Sequence, residues 1–244
     1  MIIFLHGVPE TAALWDGVRD AIGRESQAWN LPGFGCPRPE GFSGTKDAYM
    51  DWLVAELDKV DEPVDLVGHD WGGGFSLRVG TTYPEKVRSW VSDVGALFAP
   101  DYEWHDFAKI WQTAGDGEAF FETQLAAPLE DRAATYQMFG LDEAASLKLA
   151  AMGDETMAAC ILDLYRSATP NPHADWGDGY EPTKIPGLML IASDDPFGNP
   201  DASKKVAETL GARTATLTGV GHFWPMQDPA QGARVLTEFW DSLA

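Results

Sequence analysis

The chain has 244 residues, of which 45% are hydrophobic and 11% aromatic, a composition typical of a globular protein and not of a disordered one. Its formal net charge of −21 argues against nucleic acid or an anionic membrane as a partner and favours a small neutral substrate. Two cysteines, Cys36 and Cys160, are too few for a disulfide framework. The sequence has no apolar run of membrane-spanning length, and its short apolar start has no basic flank. We therefore expect a cytoplasmic protein without a secretion signal.

Short apolar runs alternate with helical patterns along much of the chain. The runs at 2–5, 64–68, 90–94 and 188–192 lack the alternation between apolar and polar residues of a half-exposed strand. Continuous apolar runs of this kind are typical of buried parallel strands. Weaker candidates are 27–30 and 214–217. Helical patterns lie between them at 45–60, 73–83, 200–210 and 230–243. This alternation predicts an α/β fold, a doubly wound and mostly parallel sheet covered by helices on both faces.

The alternation stops near residue 96 and resumes near residue 185. The stretch between is rich in Ala, Trp and Phe, carries helical patterns without a strand, and ends in a polar segment that contains Pro and Gly. We therefore predict a first core part at 1–96, a helical cap at 97–182 lying over the strand ends, and a second core part at 183–244.

The sequence Gly68-His69-Asp70-Trp71-Gly72 follows a predicted strand and precedes a predicted helix. Small residues two positions before and after Asp70 allow a tight strand-to-helix turn that exposes the central side chain at a helix N-terminus, where backbone N–H groups favour an anion. The alternative is that Asp70 is a helix N-cap. Capping alone does not require glycine on both sides, so we favour a nucleophile.

His222 and a pair of acidic residues follow later strands. His222 lies on a Gly-rich loop after the last predicted strand, and Asp194 and Asp195 follow the run at 188–192. Taken singly, these residues are typical of a surface loop and of turn chemistry. Together with Asp70 they give the order nucleophile, acid, histidine at the carboxyl ends of strands, where open α/β sheets build their sites.

The sequence His6-Gly7-Val8 ends the first predicted strand. A backbone N–H from this loop, that of Val8, would complement the N–H of Trp71 as an oxyanion hole. We expect His6 to be a buried residue that orients the loop.

Cofactor motifs are not evident. The sequence Gly33-Phe34-Gly35 resembles the start of a dinucleotide fingerprint, but Pro37 and Pro39 follow where a helix would have to begin. No phosphate loop or metal-ligand spacing occurs in the sequence, so we expect neither a cofactor nor a metal.

Five stretches carry a resemblance to the α/β-hydrolase superfamily: HGVPE at 6–10, NLPGFG at 30–35, GHDWGG at 68–73, SDDPFG at 193–198 and GHFWPMQDP at 221–229. Within it, the chain resembles the aspartate-nucleophile branch of epoxide hydrolases and haloalkane dehalogenases. The resemblance implies a smaller sheet than usual, because the two leading strands are absent.

The resemblance also assigns roles in the triad. It implies that Asp70 is the nucleophile, His222 the base and Asp195 the acid that orients it, since the carboxylate before Pro-Phe is the one that matches. Asp194 is an alternative acid, and so is Asp93, because some dehalogenases take the acid from the end of the preceding strand.

A carboxylate nucleophile favours displacement at saturated carbon over attack on an ester. The expected reaction forms an alkyl ester on Asp70, which water activated by His222 then hydrolyses, with the oxyanion hole stabilising this second step. The leaving group is then either an epoxide oxygen, which needs a proton donor, or a halide, which needs N–H donors.

The residues of the predicted cap help to distinguish the two leaving groups, because the resemblance assigns some of them a role in binding the leaving group. Epoxide hydrolases of this branch place two tyrosines over the nucleophile; Leu164-Tyr165-Arg166 resembles one segment, and Trp111 takes the other position. Tyr165 would then supply the proton, because an indole cannot act as the acid. The other candidate donors are Tyr102, Tyr136 and Tyr180.

The residue before the nucleophile, His69, and the residue after His6-Gly7, Val8, also resemble those of epoxide hydrolases. Epoxide hydrolysis is therefore the favoured function. The alternative is a haloalkane dehalogenase in which Trp71 and Trp111 bind the halide. A binding protein on the same fold would require a broken triad, and no triad position is broken.

Overall fold

A computed structural model of the chain describes residues 1–177 and 180–243. Its sheet has six parallel strands in the order β2-β1-β3-β4-β5-β6. The strands are β1 (Ile2–Leu5), β2 (Ser26–Trp29), β3 (Val64–Gly68), β4 (Val87–Ser92), β5 (Gly187–Ala192) and β6 (Arg213–Leu217). The parallel α/β sheet that the sequence predicts is confirmed.

The prediction for β4 was wrong at both ends. The strand begins at Val87, not at residue 90, because Ser89 is buried in the sheet and donates a hydrogen bond to Asp65 (2.6 Å) on β3. A polar residue with such a partner belongs to the sheet although it interrupts the apolar run. Asp93 and Val94 lie beyond the strand end.

Helices cover both faces of the sheet. In chain order they are α1 (Asp16–Ile22), α2 (Lys46–Leu57), α3 (Trp71–Thr82), α4 (Asp106–Gln112), α5 (Asp116–Ala126), α6 (Leu129–Met138), α7 (Glu143–Met152), α8 (Glu155–Arg166), α9 (His173–Trp176), α10 (Pro200–Leu210), α11 (Trp224–Gln227) and α12 (Pro229–Asp241). Side chains of α2, α3 and α10 share one core cluster with alternate β1 residues, and those of α1 and α12 share the other. The sheet is therefore doubly wound.

The predicted helices are present with small differences at their ends. The prediction at 200–210 coincides with α10, whereas α2 begins one residue later than predicted, because Thr45 is its N-cap and accepts from Ala48 N–H (3.2 Å). In the part of the chain that the structure describes, the segment between β4 and β5 contains α4 to α9 and no strand. The cap boundaries at 97 and 182 stay a prediction.

None of the helices in the described residues combines the length and the apolar character that a bilayer span requires.

Candidate active site

The turn between β3 and α3 carries Asp70 in a strained backbone conformation. Its φ of 51° makes it the one non-glycine residue with positive φ among residues 1–177 and 180–243. A Cβ on Gly68 would lie 2.0 Å from the Gly72 carbonyl oxygen, and one on Gly72 would lie 2.4 Å from the Leu5 carbonyl oxygen, so both positions require glycine. Asp70 makes no side-chain capping bond to α3, which removes the N-cap interpretation.

The Asp70 carboxylate is held by the loop after β1. Its Oδ1 accepts a hydrogen bond from Val8 N–H (2.9 Å), one of the two donors predicted for an oxyanion hole. A Cβ on Gly7 would lie 2.3 Å from the same oxygen, so only glycine allows the loop to approach this closely. Burial raises the pKa of Asp70, and the nearby His222 partly opposes the rise. The role of the Trp71 N–H at the start of α3 stays a prediction.

The structure brings His222 and Asp195 to this carboxylate. His222 Nδ1 lies 3.0 Å from Asp195 Oδ2, and Phe197 N–H donates to Asp195 Oδ1 (2.9 Å), which fixes the carboxylate. His222 Nε2 lies 3.9 Å from Asp70 Oδ2. Asp194 instead accepts a bond from the Ser193 hydroxyl (2.7 Å), so the geometry favours Asp195 as the partner of His222.

The charges of this pair are coupled. Burial alone would lower the pKa of His222, but the Asp195 carboxylate, and more weakly Asp70, raise it above the ordinary value. Burial would likewise raise the pKa of Asp195, yet the charge and hydrogen bond of His222 lower it. The arrangement therefore favours an ionised Asp195 beside His222.

Asp93, the alternative acid, serves a different histidine. Its Oδ2 lies 2.5 Å from His69 Nδ1 and accepts from Trp224 Nε1 (2.7 Å), while its Oδ1 accepts from Asp70 N–H (2.9 Å). Asp93 thereby supports the backbone of the turn at Asp70. It is not placed to orient His222.

Glu10 completes this second cluster, which the sequence did not predict. Its Oε1 lies 3.2 Å from His69 Nε2 and its Oε2 accepts from Gly7 N–H (3.0 Å), and both side chains are buried. Burial would lower the pKa of His69, but Glu10 and Asp93 raise it well above the ordinary value. We call Glu10, His69 and Asp93 the buried clamp.

Two residues of the buried clamp, together with His222, are candidate ligands for a metal ion. Ligand atoms of Glu10, His69 and His222 lie within 4.8 Å of one another, a spacing that could hold an ion. However, both nitrogens of His69 face carboxylates, which is the arrangement of an imidazolium, and a protonated ring cannot coordinate. This donor set fits a hydrogen-bonded network and not a metal site.

His6 is buried beside this network. Its Nε2 accepts from Leu31 N–H (3.0 Å), so its Nδ1 donates to the Gly7 carbonyl oxygen (2.7 Å). Burial lowers the pKa of His6 to about 4, which keeps the ring neutral. Its contacts are those of a residue that orients the loop carrying Gly7 and Val8.

A cavity of about 180 Å³ lies over Asp70 and His222. Its walls are largely aromatic and include the predicted residues Trp71, Trp111 and Tyr165. Two of the other candidate donors, Tyr102 and Tyr136, also line it, whereas Tyr180 packs against His173 (ring centroids 5.3 Å apart) outside the cavity.

Tyr165 reaches the cavity from α8 and is 2% exposed. Burial and the charge of Asp70 raise its pKa well above the ordinary value, and the Trp71 indole, whose ring centroid lies 5.6 Å from that of Tyr165, works in the opposite direction. The phenol therefore carries a proton that it can donate.

The indoles of Trp104 and Trp111, which lie between β4 and β5, differ in what their N–H groups contact. Trp104 stacks on Trp71 (ring centroids 5.8 Å apart) and donates to the Ala168 carbonyl oxygen (3.0 Å). The Trp111 ring packs against Tyr165 at 4.8 Å, and its Nε1 is buried without a hydrogen-bond partner among the described residues.

His105 also lines the cavity and was missed by the sequence interpretation. Its Nδ1 accepts from Ala108 N–H (3.2 Å) at the start of α4. The one available signal was a histidine directly before an acidic residue and a helical pattern, which is weak evidence for a functional residue.

Comparison with known proteins identifies the family. The sequence matches the profile of the alpha/beta hydrolase family over residues 2–235, and the chain belongs to that family. A curated relative, the cis-3-alkyl-4-alkyloxetan-2-one decarboxylase of Shewanella oneidensis, is 30% identical over 41% of this chain and 34% of its own length. The chain spans between a third and a half of the length of the first curated relatives that it matches.

Solved structures with the same fold include two from the predicted branch. An epoxide hydrolase from Vigna radiata superposes with a TM-score of 0.78 at 20% identity, covering 99% of this chain and 90% of the other. A haloalkane dehalogenase from Bradyrhizobium elkani gives 0.74 at 20% identity, covering 100% and 91%. At this identity the likeness establishes the fold alone, and the neighbours in structure include proteins of both activities.

Proposed function

We propose that the protein hydrolyses epoxides to vicinal diols through a covalent ester on Asp70. The observation that carries the proposal is the placement of Asp70 at the strained turn, with one oxygen on Val8 N–H and the other facing His222. Presented in this way, a carboxylate is suited to attack saturated carbon. The aromatic cavity of about 180 Å³ supports a small, neutral and apolar substrate, because a 150 Å³ engineered cavity holds benzene.

In the first step Asp70 Oδ2 attacks an epoxide carbon. The C–O bond of the ring breaks, and the departing oxygen takes the phenol proton of Tyr165. The Trp71 indole stabilises the phenolate that forms, since it acts to lower the pKa of Tyr165. The product of this step is a hydroxyalkyl ester of Asp70.

In the second step His222 takes a proton from water, and the resulting hydroxide adds to the carboxyl carbon of Asp70. The Val8 N–H, already on Oδ1, stabilises the developing oxyanion together with the Trp71 N–H. Collapse releases the diol, whose oxygen takes the proton back from His222, and the carboxylic acid left at Asp70 returns its proton through solvent to the Tyr165 phenolate. One water oxygen stays in the Asp70 carboxylate.

A second candidate is haloalkane dehalogenation by the same two steps. The observation in its favour is the indole N–H of Trp111, which lacks a partner within the described residues and could bind a halide. One observation counts against it: this N–H is buried and therefore closed to a ligand. Epoxide opening requires no change in the positions of Asp70 and Tyr165.

We expect the purified protein to convert a terminal aryl epoxide such as styrene oxide to its diol and to release no halide from 1-bromobutane. Tyr165→Phe should lower epoxide turnover about 100-fold, because it removes the proton donor. Chromatographic diol quantification and a halide assay measure the two activities. Halide release without diol formation would replace the proposal with the second candidate.

The covalent step predicts isotope incorporation into the enzyme. In a single turnover in heavy-oxygen water, the label should enter the Asp70 carboxylate, which peptide mass spectrometry detects, while the first diol retains unlabelled oxygens. Asp70→Asn should abolish turnover and labelling together. A label found only in the first diol would mean direct attack by water and would contradict the ester mechanism.

A further inference from the structure

His105 lies in the cavity beside the groups assigned to epoxide opening. Its ring packs on Phe197 (centroids 4.9 Å apart), which in turn contacts the His222 ring at 5.1 Å. On its other sides it meets the rings of Tyr165 at 6.2 Å and Trp111 at 6.1 Å. The imidazole is therefore held by packing between the triad and the proton donor.

The hydrogen bond at α4 fixes the tautomer of His105. Because Nδ1 accepts from Ala108 N–H, Nδ1 carries no proton, and the neutral ring must carry its proton on Nε2. Burial, reinforced by the charge of His222, lowers the pKa of His105 to about 4, so the ring is neutral at neutral pH. Nε2 is on the ring edge away from α4 and makes no hydrogen bond within the part of the chain that the structure describes.

We propose that His105 is a second catalytic donor, whose Nε2–H binds the departing epoxide oxygen while Tyr165 protonates it. This inference rests on the proposed function. His105 keeps its proton throughout: the C–O bond breaks, the oxygen takes its proton from Tyr165, and the imidazole N–H stabilises the charge that develops in between. The sequence interpretation gave this position to Trp111, whose N–H also lacks a partner but is buried, whereas His105 is only partly buried and its Nε2 is not among the buried unpartnered atoms of the described residues.

The tautomer can be tested without substrate. In protein labelled with nitrogen-15 histidine, His105→Asn identifies the His105 signals by their loss. We expect a neutral Nε2–H tautomer from pH 6 to pH 8, and a shift of its Nε2 signal when benzamide, whose carbonyl oxygen accepts hydrogen bonds, is added. An Nδ1–H tautomer or an imidazolium in this range would overturn the inference.

The kinetic test uses a variant that separates the two nitrogens. Asn is a good N-cap, so His105→Asn keeps the bond to Ala108 N–H and removes the donor at the Nε2 position. With styrene oxide we expect the rate of ester formation to fall roughly 10- to 100-fold, the effect of one hydrogen bond to a developing charge. The rate of ester hydrolysis should stay within about twofold, since the donor acts only on the leaving oxygen.

A further variant keeps the result decisive. His105→Gln, whose amide can reach the Nε2 position, should recover part of the rate of ester formation. An unchanged rate of ester formation in His105→Asn, or an equal loss in both steps, overturns the role of His105 while leaving the proposed function intact. Absence of both ester and diol in the unmodified protein contradicts the proposed function itself.

Discussion

Two buried histidines lie side by side and differ in the second contact that each one makes. The rings of His222 and His69 are 4.8 Å apart, and each places Nδ1 on a carboxylate, Asp195 and Asp93 respectively. The Nε2 of His222 faces Asp70 at 3.9 Å, whereas the Nε2 of His69 faces Glu10 at 3.2 Å.

This difference decides what each ring can do. With a carboxylate at both nitrogens, which raises its pKa well above the ordinary value, His69 favours the protonated form within the buried clamp. His222 has one supporting carboxylate and one nitrogen towards Asp70, an arrangement suited to accepting and returning a proton. Under the proposed function, neighbouring residues of one type thus serve structure in one case and catalysis in the other.

The largest expected effect comes from Asp195→Asn. Loss of the orienting carboxylate should lower the rate of ester hydrolysis about 10⁴-fold, the cost seen for an acid-to-amide change in a triad. Ester formation does not use His222 as a base, so the ester should accumulate and be visible as a mass increase on the Asp70 peptide. Asp194→Asn is the matched control and should retain activity, because Asp194 bonds to Ser193 and not to His222. Equal losses in both variants would contradict the assignment.

Disruption of the buried clamp should mainly lower the stability of the fold. Asp93→Asn removes one of the two carboxylates that hold the buried His69 and should lower the free energy of unfolding by roughly 3 kcal/mol. Denaturant unfolding measures the change, and Asp201→Asn, on an exposed side chain, is the control. A stability loss below about 1 kcal/mol would mean that His69 is not a charged member of the clamp.

The sequence was sufficient where a property is local. The apolar runs predicted the strands, and the glycines around Asp70 predicted the sharp turn, since both follow from the chemistry of a few consecutive residues. The start of β4 was missed because Ser89 is polar, and its burial depends on Asp65 of another strand.

The buried clamp and His105 could not be predicted for a related reason. Glu10 and His69 are 59 residues apart, and their pairing exists only once β1 and β3 are neighbours in the sheet. His105 gains its environment from Phe197, which follows β5. Such contacts depend on how segments distant in sequence meet in the fold, which neither periodicity nor spacing encodes.

The smallest expected effect concerns the pH dependence of the two histidines. His222 must be neutral to accept a proton from water, so ester hydrolysis should slow as the pH falls through the pKa of His222. In the free enzyme the charge of Asp70 helps to raise that pKa above 6.5. Ester formation removes the charge, so the acid limb for ester hydrolysis should lie at lower pH than the titration of His222 in the free enzyme. His69, held by two carboxylates, should not titrate around neutral pH. Rapid-mixing measurements of ester hydrolysis and NMR titration of the histidines test both statements. If the acid limb of ester hydrolysis coincides with the titration of His222 in the free enzyme, Asp70 does not influence the pKa of His222.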